Sequence, residues 1–162
     1  YNLDINIPLI LEKRLKYNWD QIIQNDRLIP LPQVPHVEEI LENFLLNGKW
    51  SKSKRTCYIA LCGGLITFFN SALPESLLYY CERAQYNSLI AEQPTRNLSQ
   101  IYGAEHLLRC FLQLPELLNE VYIYPDEQHL VKSFFKEVLN YLAQNATFFS
   151  KAFIENKNKI KK

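Results

Sequence analysis

The side chains that could do chemistry in this sequence are few. It has three histidines and four cysteines. His106 and Cys110 are four residues apart and would share a helix face, which gives at most half of a zinc site. A locally hydrogen-bonded histidine and a core cysteine are the simpler interpretation. No C-x-x-C pair occurs among Cys57, Cys62, Cys81 and Cys110, so we predict buried free thiols in a reducing compartment and no metal.

The acidic residues do not point to catalysis either. Glu38, Glu39 and Glu42 cluster, and paired carboxylates can do acid–base work, but such a run is usually a solvated helix face. The G-x-S-x-G, H-E-x-x-H and Walker patterns are missing from the sequence. Its 4 glycines leave little material for a phosphate-binding loop. We therefore predict no catalytic residues, no cofactor and no small-molecule substrate.

Basic residues form two clusters that leave a nucleic-acid contact open. Half of the 18 Lys+Arg residues lie in a loop and a C-terminal tail, which consist of Lys49, Lys52, Lys54 and Arg55, and of Lys151, Lys157, Lys159, Lys161 and Lys162. Such clusters can bind phosphates. A net charge of +1 favours solvated loop and tail charge over a nucleic-acid-binding domain.

Length and composition fit one folded domain. The chain has 162 residues, of which 48% are hydrophobic and 13% aromatic, so intrinsic disorder is excluded. We expect no membrane span, since no apolar run approaches the roughly 18 residues that one needs. The sequence begins with Tyr1 and has no Met, which indicates a piece of a longer protein.

Apolar periodicity predicts an all-α, mainly helical domain. Three- and four-residue spacing favours helices over residues 8–24, 37–46, 56–73, 102–114 and 125–144, with shorter pieces over 74–80 and 83–92. We place the domain over residues 1–150 and a basic, fraying tail over 151–162.

Three shorter segments carry their own predictions. Residues 27–32 are apolar and interrupted by prolines, which predicts an edge strand or a small β-hairpin in the N-terminal third. Residues 49–55 read as a polar basic loop. Gly63 and Gly64 fall inside a predicted helix, where we expect them to permit close packing against a neighbour.

Surplus apolar residues predict a binding groove. The first helix carries Leu9, Ile10 and Tyr17 besides its main stripe, and residues 77–80 are apolar all round. A second apolar face indicates a hydrophobic groove for a partner. The alternative is that these residues are simply core.

Two central stretches resemble the MRG domains of mortality-factor-related chromatin proteins. Residues 77–86, LLYYCERAQY, resemble the family's LLY-x-x-ER-x-QY stretch, and residues 101–109, IYGAEHLLR, resemble its YGA-x-HLLR stretch. Ile7-Pro8, Trp19-Asp20, Leu31-Pro32, residues 114–117 and residues 134–149 also match. The matches occur in order over almost the whole chain.

The resemblance implies a helical domain with a β-hairpin and no catalysis. Such domains are similar to nuclear adaptors that join subunits of histone acetyltransferase and deacetylase complexes. Their hydrophobic groove takes partner segments, some with a Phe-x-Leu-Pro motif. By motif position, the partner-binding residues here would be Ile7, Leu15, Trp19, Tyr79 and Leu112. The competing hypothesis is a nucleic-acid-binding helical domain that acts through its lysine-rich loop and tail.

Several positions depart from the family pattern. Ala84 and Glu105 stand where the family often has Pro. Lys16 replaces an apolar residue often seen beside the groove, and Gln113 replaces a frequent Arg. These departures bear on partner affinity and partner choice.

Overall fold

Periodic apolar residues fold into six α-helices in the part of the chain that the computed structural model describes, residues 5–118, 123–150 and 152–157. The helices are α1 (Leu9–Trp19), α2 (Val37–Asn47), α3 (Lys52–Ala72), α4 (Arg83–Glu92), α5 (Ala104–Leu118) and α6 (Pro125–Gln144). The mainly helical fold class is therefore confirmed. The bounds predicted for α2 and α6 agree with the structure to within one residue.

The first helix continues past Trp19 as a π-helical turn over Asp20–Gln24. A second π-helical turn, Leu73–Leu77, follows α3, and a 3-10 turn, Tyr80–Glu82, leads into α4. The segment predicted as a helix over residues 74–80 is thus a chain of short turns. These turns place Tyr79 and Glu82 in contact with α5.

One hydrophobic core is shared by α1, α2, α3, α5 and α6. Helix α5 is its centre, because all of its residues from Ala104 to Phe111 are buried. Helix α6 contributes its apolar stripe to this core, namely Phe134, Phe135, Val138, Leu139 and Leu142. A smaller cluster of Ile22, Ile29 and Cys81 lies beside it.

The β element differs from the predicted hairpin. Strand β1 (Arg27–Leu28) pairs antiparallel with β2 (Ile154–Glu155), which comes from the opposite end of the chain. The backbone N–H of Asn156 extends this pairing to the carbonyl of Asp26 at 2.9 Å. Of the two alternatives predicted for this segment, the edge strand is confirmed for Arg27–Leu28. The local hairpin was wrong, because Leu28 pairs with Ile154, 126 residues away. The domain boundary at residue 150 stays a prediction, but β2 lies beyond it.

Helix α3 begins earlier than the sequence indicated. Its N-cap is Ser51, whose side chain accepts a hydrogen bond from the backbone N–H of Lys54. Lys52, Lys54 and Arg55 therefore form the first helical turn rather than a loop. This placement was missed because cations are disfavoured near a helix N-terminus.

Two further expectations about α3 were wrong. Gly63 and Gly64 are exposed, and a Cβ added at either would have no neighbour within 4 Å, so they do not serve close packing within this chain. Cys57 is exposed as well, whereas Cys62, Cys81 and Cys110 are buried free thiols as predicted. Burial raises the pKa of Cys62 and of Cys110 to about 12.

The segment Lys52–Leu77 is long and apolar enough to cross a membrane by length and composition. It differs from the expectation that no apolar run reaches that length. Core helices of globular domains pass the same test. Here one side of α3 packs into the core through Tyr58, Cys62, Leu65 and Phe69.

Candidate partner-binding site

Arg109 joins three segments of the chain at the surface of α5. Its guanidinium is only 5% exposed. It donates to the Glu82 carboxylate (Nη1–Oε1 2.5 Å) and to the carbonyl of Leu77 at 3.0 Å. Its other terminal nitrogen, Nη2, donates to Oδ1 of Asn18 at 2.5 Å. One side chain of α5 thereby fixes the C-terminal end of α1 and the turn before α4.

Glu82 and His106 complete this buried polar network. The ring Nε2 of His106 lies 2.9 Å from Oε2 of Glu82, and both side chains are 1% exposed. Burial opposes ionisation of Glu82, but the adjacent Arg109 and His106 outweigh it and lower its pKa to about 2. Burial and the neighbouring Arg109 lower the pKa of His106, although Glu82 acts the other way. The network is thus a carboxylate–guanidinium pair with a neutral imidazole that donates to the carboxylate.

Tyr79 is held against the same guanidinium. The Cζ atom of Arg109 lies 3.8 Å from the centroid of the Tyr79 ring, a close cation–π contact. The backbone N–H of Tyr79 donates to Oε1 of Glu82 at 2.8 Å. Burial raises the pKa of the half-buried Tyr79 hydroxyl. Ring and backbone are therefore both fixed, which is the kind of rigidity that a preformed binding surface needs.

Trp19 lies at the end of α1, next to the anchored Asn18. Its side chain is 38% exposed. Lys16, one turn earlier, places its Nζ atom 5.9 Å from the Trp19 ring centroid and 3.5 Å from Asp20. The departure at Lys16 therefore puts a cation beside the predicted aromatic anchor.

The remaining predicted residues divide between core edge and surface. Ile7 and Leu15 are partly buried and pack against the main core. Leu112, one helical turn beyond Arg109, is 51% exposed, so it is not a plain core residue. Through Arg109 the structure brings Tyr79 to the end of α1 that carries Trp19. A single pocket shared by all five residues stays a prediction.

The surplus apolar face predicted for α1 is exposed in the structure. Leu9, Ile10 and Tyr17 are among its large exposed hydrophobic side chains, together with Trp19. Leu77, in contrast, is buried, while Tyr80 is half exposed. The prediction of two apolar sides thus holds for α1 and only in part for residues 77–80.

Sequence reasoning missed the polar network itself. Glu82 and Arg109 entered only through the family motifs, and Asn18 was not considered. His106 was interpreted as a locally hydrogen-bonded histidine, but its partner, Glu82, lies 24 residues away in the sequence. A local signal was a histidine and an arginine three residues apart among the buried apolar residues of α5. A charged residue on such a face needs a buried partner.

The other chemical candidates have structural roles. Cys110 lies in the core and His106 in the network, and the described residues include no group of three or more metal-ligating side chains placed to hold an ion. Among the residues predicted to form a basic loop, Lys54 bonds to Glu137 and Arg55 donates to the carbonyl of Leu45. Of the C-terminal lysines, Lys157 is exposed; Lys151, Lys159, Lys161 and Lys162 lie outside the described residues.

The chain belongs to the MRG family, whose model matches residues 1–156. It is 38% identical over 153 residues to "NuA4 complex subunit EAF3 homolog" from Dictyostelium discoideum, and the matched region covers 93% of this chain and 39% of that relative. It is 34% identical over 148 residues to "Protein MRG1" from Arabidopsis thaliana, covering 91% and 46%. It is 34% identical over 151 residues to human "Mortality factor 4-like protein 1", covering 90% and 41%. The chain thus spans less than half of each of these relatives.

Proposed function

We propose that this MRG domain is a non-enzymatic adaptor in the nucleus that binds peptide segments of partner subunits in chromatin-modifying complexes. The partner segment, with a Phe-x-Leu-Pro-like motif, lies in a hydrophobic groove formed by Ile7, Leu15, Trp19, Tyr79 and Leu112. Family membership and a relative named as a NuA4 complex subunit support assignment to a histone acetyltransferase or deacetylase complex.

The observation that carries the proposal is the fixed position of Tyr79 beside the end of α1. Arg109 contacts the Tyr79 ring at 3.8 Å and bonds to Asn18, whose neighbour is Trp19. Tyrosine and tryptophan supply large contact area at low entropic cost, which suits them to anchor a partner's apolar side chains. A rigid support beneath them lowers the ordering cost of binding.

Two departures from the family pattern adjust the rim of this groove. The Lys16 ammonium beside Trp19 offers a charge that an acidic residue of the partner can approach. Gln113 bonds to Ser76 in both directions, with its Oε1 accepting at 2.6 Å and its Nε2 donating at 2.9 Å. The glutamine thus ties α5 to the turn after α3, where an arginine would add a positive charge.

The test is a titration of a Phe-x-Leu-Pro peptide against wild type and Trp19→Ala. Truncation of an aromatic anchor costs about 2 kcal/mol or more, so affinity should fall about 30-fold while the helical signal is retained. Leu112→Ala should weaken binding as well. Its matched control is Ile59→Ala on α3, since Ile59 and Leu112 are 49% and 51% exposed. Equal affinities for wild type and Trp19→Ala would remove Trp19 from the site.

Double-mutant cycles then test whether the residues share one pocket. Trp19→Ala combined with Tyr79→Phe or with Leu112→Ala should give non-additive losses. Strict additivity would contradict a common groove. A parallel titration of duplex DNA across salt concentrations separates the competing nucleic-acid hypothesis, because phosphate binding falls steeply with salt and burial of apolar side chains does not.

A further inference from the structure

Lys54 lies in a box of aromatic rings with one carboxylate. Its Nζ atom is 5.4 Å from the centroid of the Trp50 ring and 5.3 Å from that of Tyr58. The same atom is 3.4 Å from Oε1 of Glu137 on α6. Aromatic faces and a carboxylate around an ammonium are the arrangement by which proteins recognise methylated lysine and other alkylammonium ions.

The walls of this box are fixed by contacts independent of the lysine. The indole Nε1 of Trp50 donates to the carbonyl of Leu45 at 3.2 Å, and Phe44 packs against Trp50 with ring centroids 5.4 Å apart. The Tyr58 hydroxyl donates to the second carboxylate oxygen of Glu137. Removal of the lysine would therefore leave two aromatic faces and one carboxylate oxygen without their cation.

Lys54 itself is only partly buried in the box. It lies in the first turn of α3, where the helix dipole disfavours positive charge, and no acidic residue accompanies it in that turn. Its side chain is 35% exposed. A competing cation can approach from solvent and take its place.

A cleft opens beside the box and shares Trp50 and Glu137 with it. Its volume is about 330 Å³, and its lining includes the aromatic rings of Phe44, Trp50 and Tyr141 together with Glu137. The other lining side chains are amides, namely Asn47, Asn140, Gln144 and Asn145. Asn47 and Asn145 each donate to Tyr141, so Asn140 and Gln144 are the amides we expect to bond to a peptide backbone. The exposed pair Asn140 and Gln144 lies one turn apart on the same side of α6 as Glu137.

We infer that this cleft is a second binding site, for a methylated lysine on a partner polypeptide, and that Lys54 occupies it as an internal competitor. The partner's alkylammonium group displaces the Lys54 amine from Trp50, Tyr58 and Glu137, and the amide side chains bind the flanking backbone. The site is separate from the proposed groove, which contains the chain's other tryptophan, Trp19. The two proposals can therefore be tested independently.

The experiment uses Trp50 as its own reporter. In a Trp19→Phe background Trp50 is the single tryptophan of the chain. Its fluorescence is followed during titration with tetramethylammonium chloride, with sodium chloride as the ionic-strength control. Lys54→Ala should bind tetramethylammonium about tenfold more tightly than the parent because its internal competitor is gone. Glu137→Gln added to Lys54→Ala should reverse that gain.

Lys52→Ala is the matched control, since Lys52 is an exposed lysine of the same helical turn. It should leave the affinity unchanged. An equal gain in Lys52→Ala, no gain in Lys54→Ala, or no loss on adding Glu137→Gln would each overturn the site. Lys54→Gln, with thermal unfolding of every variant, provides a second test if Lys54→Ala proves unstable.

A second titration, with a peptide, distinguishes a polypeptide ligand from a free small cation. A short peptide with one central trimethyllysine should bind Lys54→Ala at least about tenfold more tightly than tetramethylammonium, because the cleft amides add backbone contacts. The unmethylated peptide should bind less tightly than the methylated one. Equal affinity for tetramethylammonium and the trimethyllysine peptide would overturn the assignment to a polypeptide.

Discussion

The Glu82–Arg109 pair gives a prediction that joins stability to the candidate groove. Glu82 is almost fully buried, and Arg109 is 5% exposed. Glu82→Gln keeps the shape of the side chain but removes its charge, and leaves the guanidinium without its counter-ion. Removal of one member of a buried ion pair typically costs about 3–5 kcal/mol. Since small domains are stable by only about 5–15 kcal/mol, the variant should be clearly weakened at neutral pH.

The pH dependence supplies an independent magnitude. The pKa of Glu82 is lowered from 4.5 to about 2. A lowered carboxyl pKa means that the folded state binds its proton less readily than the unfolded state, which is worth about 3 kcal/mol above pH 4.5. That stability is lost as pH falls from about 4.5 towards 2. His106 adds a separate loss that begins below about pH 6.5, because its lowered pKa also disfavours protonation in the folded state.

Urea unfolding of wild type and Glu82→Gln at a series of pH values is the assay. The difference in unfolding free energy should be about 3 kcal/mol at pH 7 and should shrink between pH 4.5 and 2. The same variant should weaken peptide binding, since glutamine has one acceptor oxygen for the Tyr79, Arg109 and His106 donors that the carboxylate serves with two. A free-energy difference that stays constant from pH 7 to pH 2.5 would refute the assignment of a buried, ionised Glu82.

Two further predictions test neighbouring features of the fold. Burial raises the pKa of Glu105, so its charge should destabilise the folded state as pH rises through that pKa. Glu105→Gln should therefore be more stable than wild type at pH 8 but not at pH 4. Urea midpoints that differ by the same amount at both pH values would contradict this prediction. Gly63→Ala should stabilise the domain by about 1 kcal/mol and so raise its melting temperature, because the added Cβ has no neighbour within 4 Å. Gly103→Ala should lower the melting temperature, because its Cβ would lie 2.8 Å from that of Gln33. Thermal melts in which both variants shift in the same direction would contradict this pair of predictions.

The helices could be predicted from the sequence because their cause is local. In α6, apolar residues recur at helical spacing after a proline in the first turn, and in α2 a capping box between His36 and Glu39 marks the start. The start of α3 was missed because two local signals conflict there. Ser51 favours a cap, while the cations that follow it oppose the helix dipole. Strand β2 was missed because residues 154–155 form a strand only through contact with residues 27–28.

In the candidate site, too, the features with a local cause could be predicted from the sequence, and those that depend on contacts between distant residues could not. The surplus apolar face of α1 follows from the residues of that helix alone, and the exposure of Leu9, Ile10 and Tyr17 in the structure agrees with it. The network beneath the site depends on pairs 27 and 91 residues apart, Glu82 with Arg109 and Asn18 with Arg109. No periodicity in a single sequence connects such positions. What the sequence does show is charged residues in apolar surroundings. Burying an arginine or a glutamate costs free energy unless the fold brings the two together. Buried charge of this kind is therefore the signal from which a hidden support for a surface site can be sought.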